Sequence, residues 1–457
     1  MKNELLIPEL RELLENQEHE VIRTFCDENH PETVVDLIDA LETPEIWRVL
    51  NTTDTRRRAE IFSYFDTDRQ VQLVTGQNRT DIARLIEEMP PDDRADLVQR
   101  LDPGIRDEIL PLVAKAERED IRKLVQYRDG TAGAVMSTDY ATLRAGAGVN
   151  QAIDQLRTQA PAKETIYYVY VVDDQRRLIG FVSLTDLIMA RPGQTIADVM
   201  HTDVIRVNVR DDQERAARII EKYDLIAVPV VDEANVLVGI ITHDDAFDII
   251  RQEQTEDVEM LMAIGGRHEA AAYLRTSAWQ HFKNRAGWLV ILGLLGMISG
   301  AIVQNFEGLL LQFAILATFM PMLADTGGNA GSQSATLVIR ALALGEVTPR
   351  DVLRILVKEL WVSIPLALVL ALVAVVRVMF YTGRAETDYS VWVIGLAVGA
   401  ALAAQVITST LIGALLPIAA ARLRFDPAVV ASPALTTVVD ITGLLIFFGT
   451  AQWILAA

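Results

Sequence analysis

One carboxylate stands inside an apolar stretch near the end of the chain: Asp440, within Ser432-Pro433-Ala434-Leu435-Thr436-Thr437-Val438-Val439-Asp440-Ile441-Thr442-Gly443. At helical spacing Pro433, Thr436, Thr437 and Asp440 fall at i, i+3, i+4 and i+7 and share one face. A charged carboxylate at membrane depth is costly, so Asp440 is expected to face a polar cavity or a partner rather than lipid. A second run, Pro321-Met322-Leu323-Ala324-Asp325-Thr326-Gly327-Gly328-Asn329-Ala330-Gly331-Ser332-Gln333-Ser334-Ala335, is dense in small residues. Small side chains let helices approach closely, and Pro321 with Gly327-Gly328 can bend the backbone and turn carbonyls toward water. Asp440, backbone carbonyls and Asn329 together offer carboxylate and amide oxygens. That set suits a hard divalent cation such as Mg2+, which takes oxygen ligands and gives up its water reluctantly. Thiols and imidazoles, which such a cation does not use, are missing from Asn284 onward. A proton relay through Asp440 would use the same residue.

The elements that must hold these residues are membrane helices. Crossing a bilayer core takes about 20 apolar residues in a helix. Five stretches qualify: Gly287 to Val303, Leu309 to Leu323 with the small-residue run after it, Trp361 to Phe380, Val391 to Ala420, and Val429 to Ala457. Arg340, Arg350, Arg354 and Lys358 lie between the second and third, and Arg422 and Arg424 between the fourth and fifth. Basic loops stay in the cytoplasm, which places the C-terminus outside. The N-terminus, MKNELLIPELRELLENQEHE, is charged and helical in pattern without an apolar core, so the region it opens is expected in the cytoplasm.

The 457 residues carry a net charge of −20. From Asn284 onward basic and acidic residues number nine each, so the whole excess lies upstream. A surface so acidic repels nucleic acid and attracts cations, although solubility alone accounts for it as well. The single cysteine, Cys26, gives no basis for disulfides, zinc sites or thiol catalysis. His201, His243, His268 and His281 are scattered, and no phosphate loop or Ser-His-Asp spacing is present, so no enzyme is read here.

The first ~130 residues read as short amphipathic helices punctuated at Asn29-His30-Pro31, Glu42-Thr43-Pro44 and Met89-Pro90-Pro91-Asp92, a small all-α superhelix or bundle. A strand-and-helix unit then occurs twice. The first copy holds Tyr167 to Asp173 and Leu178 to Asp186, the second Ala227 to Asp232 and Leu237 to Asp245. This tandem resembles a pair of CBS domains, in which Asp186 and Asp245 take the acidic position that contacts ribose in many such modules. A helix cap explains both as readily. A long connecting helix follows from Asp248 to Asn284, acidic at Glu253, Glu256, Asp257 and Glu259, then apolar at Met260, Leu261, Met262 and Ile264. It is read as a plug at the pore mouth, with an inert linker as the rival.

PMLADTGGNAGSQSAT, SPALTTVVDITG, the five apolar segments, the CBS-like tandem and the acidic helical first domain together resemble the MgtE family of magnesium channels across nearly the whole chain. The expected domains are an acidic helical domain at 1–131, CBS copies at 132–197 and 198–250, a connecting plug helix at 251–284, and a five-helix membrane domain at 285–457. The resemblance implies an inner-membrane homodimer embedded in lipid, with Mg2+ as both cargo and regulator. Its pore would lie on the two-fold axis, with Asp440 contributed twice and Gly328 and Asn329 near the ion. It further implies regulatory Mg2+ at Glu60, Asp92 and Asp96, at Asp212, Glu214 and Asp224, and at Asp245, Asp248, Glu253, Glu256 and Asp257. Asp426 matches a site at the cytoplasmic pore mouth.

Spacing supports such a switch independently. Asp92 and Asp96 lie at i and i+4, and Glu253, Glu256 and Asp257 at i, i+3 and i+4, so each set repels itself until a cation relieves it. An ion that binds the closed form better would stabilise it. ATP is a further partner known in part of the family. Here Thr185 stands where a basic residue would favour phosphate, and Ile205 and Leu225 are apolar, which argues against it. Two other functions remain: an ion-coupled secondary transporter regulated by nucleotide at the CBS pair, and a membrane-anchored sensor without transport.

Overall fold

The computed structural model describes residues 7–160, 163–262, 264–265, 276–382, 390–423, 425–427 and 432–455. The chain divides into two compact units, 1–253 and 254–457.

The first unit opens with ten helices among the described residues, α1 (Ile7–Glu15), α2 (His19–Glu28), α3 (Pro31–Ile38), α4 (Thr43–Leu50), α5 (Thr55–Ser63), α6 (Thr67–Val74), α7 (Arg79–Glu88), α8 (Pro91–Arg100), α9 (Pro103–Ile109) and α10 (Lys115–Leu124). The punctuating residues seen in the sequence start them. Pro31, Pro91 and Pro103 occupy a first helical turn, where proline's missing N–H costs no bond. Asp54 and Asn78 cap the N-termini of α5 and α7. Apolar residues at helical spacing meet in one core around Ile38, Leu50, Ile61, Phe62, Leu73 and Leu85. The Trp47 indole closes it by donating to the Leu73 carbonyl at 2.9 Å.

Two small sheets follow. β1 (Tyr140–Arg144), α11 (Val149–Gln159), β2 (Thr165–Val172), β3 (Leu178–Ser183), α12 (Leu184–Met189) and α13 (Ile196–Val199) make the first copy. β4 (Val207–Asn208), α14 (Gln213–Tyr223), β5 (Ala227–Val231), β6 (Leu237–Thr242) and α15 (His243–Leu261) make the second. Each sheet has the order expected of a repeat, β1-β2-β3 and β4-β5-β6, with the first pair parallel and the second antiparallel. Tyr170, Val172 and Leu178 of one copy share a core with Ala227, Val231 and Ile240 of the other, so the tandem is one body. α10 and α8 add Leu124 and Ala95 to the core of the second copy, which ties the helical domain to it.

The connecting segment differs from the expected single helix. α15 stops at Leu261, and Ile264 and Gly265 are not helical, Gly265 being a poor helix former. Residues 266–275, part of the same expectation, lie outside the described residues.

The second unit holds α16 (Ala278–Asn305), α17 (Glu307–Gln312), a 3-10 turn at Ala314–Phe319, α18 (Met320–Ala343), a short 3-10 turn at Pro349–Asp351, α19 (Val352–Thr382), α20 (Val391–Arg422) and α21 (Ser432–Leu455). Among the described residues four helices are long and apolar enough to cross a membrane: α16, α19, α20 and α21. The expected second span at Leu309 to Leu323 is not one helix. Its residues fall into α17, the 3-10 turn and the start of α18, because the backbone leaves helical geometry at Phe313 and restarts with Pro321 in a first turn. The small-residue run, expected as an extension, is itself the body of the 24-residue α18.

α18 packs between α20 and α21, and α19 covers α20. Phe313, Leu316 and Phe319 join Phe447 and Phe448 of α21 in the core at one end of the bundle. Near the other end Glu359 of α19, 8% exposed, accepts from the Ser334 hydroxyl of α18 at 2.8 Å. Among the described residues no cation lies within 4 Å of this carboxylate, so Ser334 is its one protein donor there. Ser334→Ala is therefore expected to cost about 1–3 kcal/mol, the penalty for stripping a buried acceptor of its donor. Thermal denaturation in detergent reads it: a lowered midpoint for alanine, restored by Ser334→Thr, is the expected pattern.

Candidate functional site

α18 and α21 run antiparallel: a Cβ on Gly327 would touch Val439 at 3.1 Å, while one on Gly331, a turn later, would touch Val439 at 3.3 Å and also the earlier Leu435 at 3.7 Å. Gly328 is buried against Thr436, whose methyl carbon lies 3.3 Å from where its Cβ would be. Close approach of the two backbones at these glycines brings Asp440, one residue past Val439, level with the turn of α18 that holds Asp325. Asp440 is half-buried, and its Oδ1 is buried without a hydrogen-bond partner among the described residues. Asn329 is exposed on α18 and donates from Nδ2 to Asp325 Oδ1 at 3.0 Å. Asp325 was not singled out by the sequence, although it stands in the quoted run one turn from Asn329.

The faces of α18 divide cleanly. Leu323, Gly327, Gly331, Ser334 and Val338 are buried against neighbours. Asp325, Asn329 and Thr336 are exposed, with Ser332 half-buried on the same side. A helix set among membrane spans thus presents a polar stripe that the described residues of its own chain leave uncovered. Lipid is a poor cover for such a stripe.

A second gathering of charge lies in the first unit. Asp92 and Asp93 in the first turn of α8 are half-buried, and Asp92 Oδ1 is buried without a hydrogen-bond partner among the described residues. Burial, then the charges of Asp93, Asp245 and Glu164, push the Asp92 carboxyl well above its ordinary range. Asp93 is pushed up to about 7, chiefly by burial and further by the charges of Asp245, Asp96 and Glu164. Glu164 rises to about 7 through burial and the charges of Asp245, Asp244 and Asp139. Asp245 rises to about 6, burial outweighing its bonds from Thr242. Carboxylates from α8, the start of β2 and the start of α15 therefore repel one another across this unit. Among the described residues no three acidic, histidine or cysteine side chains stand close enough to hold a metal ion as they are.

The sign of the resulting pH dependence follows directly. Folded values above the unfolded ones mean that the folded chain binds more protons between about pH 4 and 7, so stability falls as pH rises through that window. Calorimetry of the chelator-treated protein at fixed salt is expected to give a lower first-unit midpoint at pH 8 than at pH 5. A flat profile would mean that these carboxylates are not buried together.

Comparison with known proteins matches both features to one family. Residues 320–450 match the MgtE model, described as a divalent cation transporter, residues 29–130 the MgtE intracellular N domain, and residues 132–193 and 196–252 the CBS domain. Over 466 aligned positions the chain is 36% identical to the magnesium transporter MgtE of Thermus thermophilus, covering 99% of each. The chain belongs to the MgtE family. The magnesium transporter MgtE of Bacillus subtilis is 35% identical over 336 residues, 74% of this chain and 72% of that relative. A crystal structure of the soluble part of a magnesium transporter aligns with a TM-score of 0.52 at 34% identity, over 55% of this chain and 98% of that one. That of the cytosolic domain of the Mg2+ channel MgtE in complex with ATP gives 0.50 at 34% identity, over 52% and 98%.

Of the acidic positions expected from the MgtE resemblance, the structure gathers Asp92 and Asp245 and adds Asp93, Glu164 and Asp244, which sequence reasoning passed over. The doublets Asp92-Asp93 and Asp244-Asp245 were the available signal. Asp96, on the same helix, is exposed at the surface; its carboxyl is raised by the crowded surroundings and by Asp129, opposed by Arg100. Glu253 is not with them: it accepts from Gln213 Nε2 at 2.6 Å, beside the N-cap Asp212 of α14. Glu60 pairs with Arg57 at 2.9 Å, Asp248 with Arg251 at 2.7 Å, and Glu214 with Arg218. Asp224 ends α14 in left-handed geometry at φ 50°. Glu256 and Asp257 follow on α15, half-buried and exposed respectively, and Asp426 is exposed beyond the end of α20.

Proposed function

We propose that this chain is a magnesium channel of the inner membrane, working as a homodimer and closed when cytoplasmic Mg2+ binds its acidic faces. One observation carries the reading: Asp440 keeps a buried carboxylate oxygen without a partner, level with the open Asp325–Asn329 stripe of α18. A polar stripe at membrane depth is stable when it meets water or its own copy. Two copies related by a two-fold axis, α18 facing α18, would enclose a path lined by carboxylates, amides and hydroxyls, with α18 as the fifth membrane helix of each. Gly328 and Asn329 would stand beside the ion. A hydrated Mg2+ fits such oxygen chemistry, and the relatives named as magnesium transporters support that cargo. The basic loops favour a cytoplasmic first unit and an external C-terminus.

Closure would work through repulsion. Asp92, Asp93, Glu164, Asp244 and Asp245 destabilise one another without a cation, and Mg2+ between them would draw their elements together. Glu60, Asp96, Asp212, Glu214, Asp224, Asp248, Glu253, Glu256, Asp257 and Asp426 would serve neighbouring sites, those now in ion pairs exchanging an arginine for the metal. Nucleotide fits this chain less well. Asp186 is bonded to Ser183 and to His201 Nε2, and Thr185, Ile205 and Leu225 bring no cation to a phosphate.

Flux of purified protein in liposomes tests the reading. Mg2+ entry in preference to Ca2+ supports it, and absence of any cation flux would leave only a sensor. Ion-coupled transport, which can use the same Asp440, would show as flux that collapses with the proton gradient at fixed potential.

A further inference from the structure

Gln405 lies midway along α20, outside both motifs, in the apolar run Ala403-Ala404-Gln405-Val406-Ile407. It is 1% exposed. Its Nε2 donates to the Leu323 carbonyl of α18 at 2.8 Å. A Cβ on Gly327 of α18 or on Gly443 of α21 would collide with this amide, whose carbon lies 3.0 Å from either position. Both glycines are thus the space in which the Gln405 side chain sits. Its Oε1 is buried with no hydrogen-bond partner among the described residues. A buried acceptor left without a donor is a cost that apolar residues at the same place would avoid, so the site gains something else from it. Gly443 follows Asp440 by three residues, which sets the amide about one helical turn from that carboxylate on the same side of α21.

We infer that Gln405 is the positioning residue of the ion path. Its amide is the spacer that fixes α18 against α21 and so holds Asp440 level with Asp325 and Asn329. The inference rests on the reading of Asp440 as the carboxylate of that path.

The full chain in proteoliposomes tests it, with Mg2+ entry measured as maximal rate and half-saturating concentration. Gln405→Leu keeps the volume and removes both polar atoms. The expected result is a rise of about tenfold in half-saturating Mg2+, the size of the lost bond to the Leu323 carbonyl that positions the two helices, with a smaller change in maximal rate. A merely structural role would lower the amount of active protein and leave half-saturation where it was, which would overturn the inference. Gly443→Ala alone is expected to impair transport in the same way, and to add little in a Gln405→Ala background, where the collision is gone. Strict additivity of that pair would also overturn the inference, and this comparison decides the matter even if Gln405→Leu accumulates poorly. Asp440→Asn in the same assay separates the two levels. Wild-type entry there removes the path itself, whereas loss there with an unchanged Gln405→Leu removes only the role of Gln405.

Discussion

Asp440→Asn is expected to lower Mg2+ entry about 100-fold while the protein still reaches the membrane in normal amount. The amide keeps the shape and removes the charge. At a few ångströms and an effective dielectric near 20, a unit charge pair is worth about 4 kcal/mol, and screening by the ion's own water leaves on the order of 3 kcal/mol, which is roughly 100-fold. The fold has no need of that charge, because Oδ1 has no donor or cation to lose among the described residues. Growth of a magnesium-transport-deficient bacterium at limiting Mg2+, with membrane abundance measured alongside, separates the two effects. Rescue by the Asn variant at the wild-type level would contradict the account.

Neutralising the cytoplasmic gathering should have the opposite sign. The triple variant Asp92→Asn, Asp93→Asn, Asp245→Asn removes the repulsion that Mg2+ is proposed to relieve, and with it the ligands. A coupling of about 1–3 kcal/mol between regulatory and transport sites corresponds to roughly 5–150-fold. Millimolar internal Mg2+, which should shut the unmodified protein, is expected to leave the variant conducting at least about tenfold faster. Asparagine at 245 can still cap α15 through its side-chain oxygen, so the helix start survives. The same variant should show a much smaller fall in stability between pH 5 and 8, since Asp92, Asp93 and Asp245 no longer titrate there while Glu164 and Asp96 remain. Normal closure by Mg2+ would show that these carboxylates are surface charge and nothing more.

Particular residues explain what the sequence disclosed and what it hid. Strands β2, β3, β5 and β6 were legible because each is a run of apolar residues ended by an acidic turn or a cap. β1 and β4 were not, β4 being two residues long and stabilised by the parallel pairing with β5 rather than by its own composition. Asp440 announced itself as the charge in an apolar segment. Gln405 and Glu359 break apolar runs in the same way, but what they do depends on which helix packs behind them. The start of α18 was misplaced because apolar length favoured Leu309 to Leu323, whereas a proline in the first turn and tight packing against α20 and α21 decide the helix. Glu164 could not be joined to Asp92 and Asp245 from spacing, since more than seventy residues separate each from it in sequence and they come together through the packing of α8 on the second CBS copy and of the two copies on each other.

The most direct measurement is Mg2+ entry into proteoliposomes under an imposed membrane potential, with pH and Na+ equal on both sides. Flux is expected to follow the potential alone and to fall about 100-fold in Asp440→Asn. Flux that appears only when a proton or sodium gradient is added, or that persists unchanged without the Asp440 charge, would contradict the channel reading.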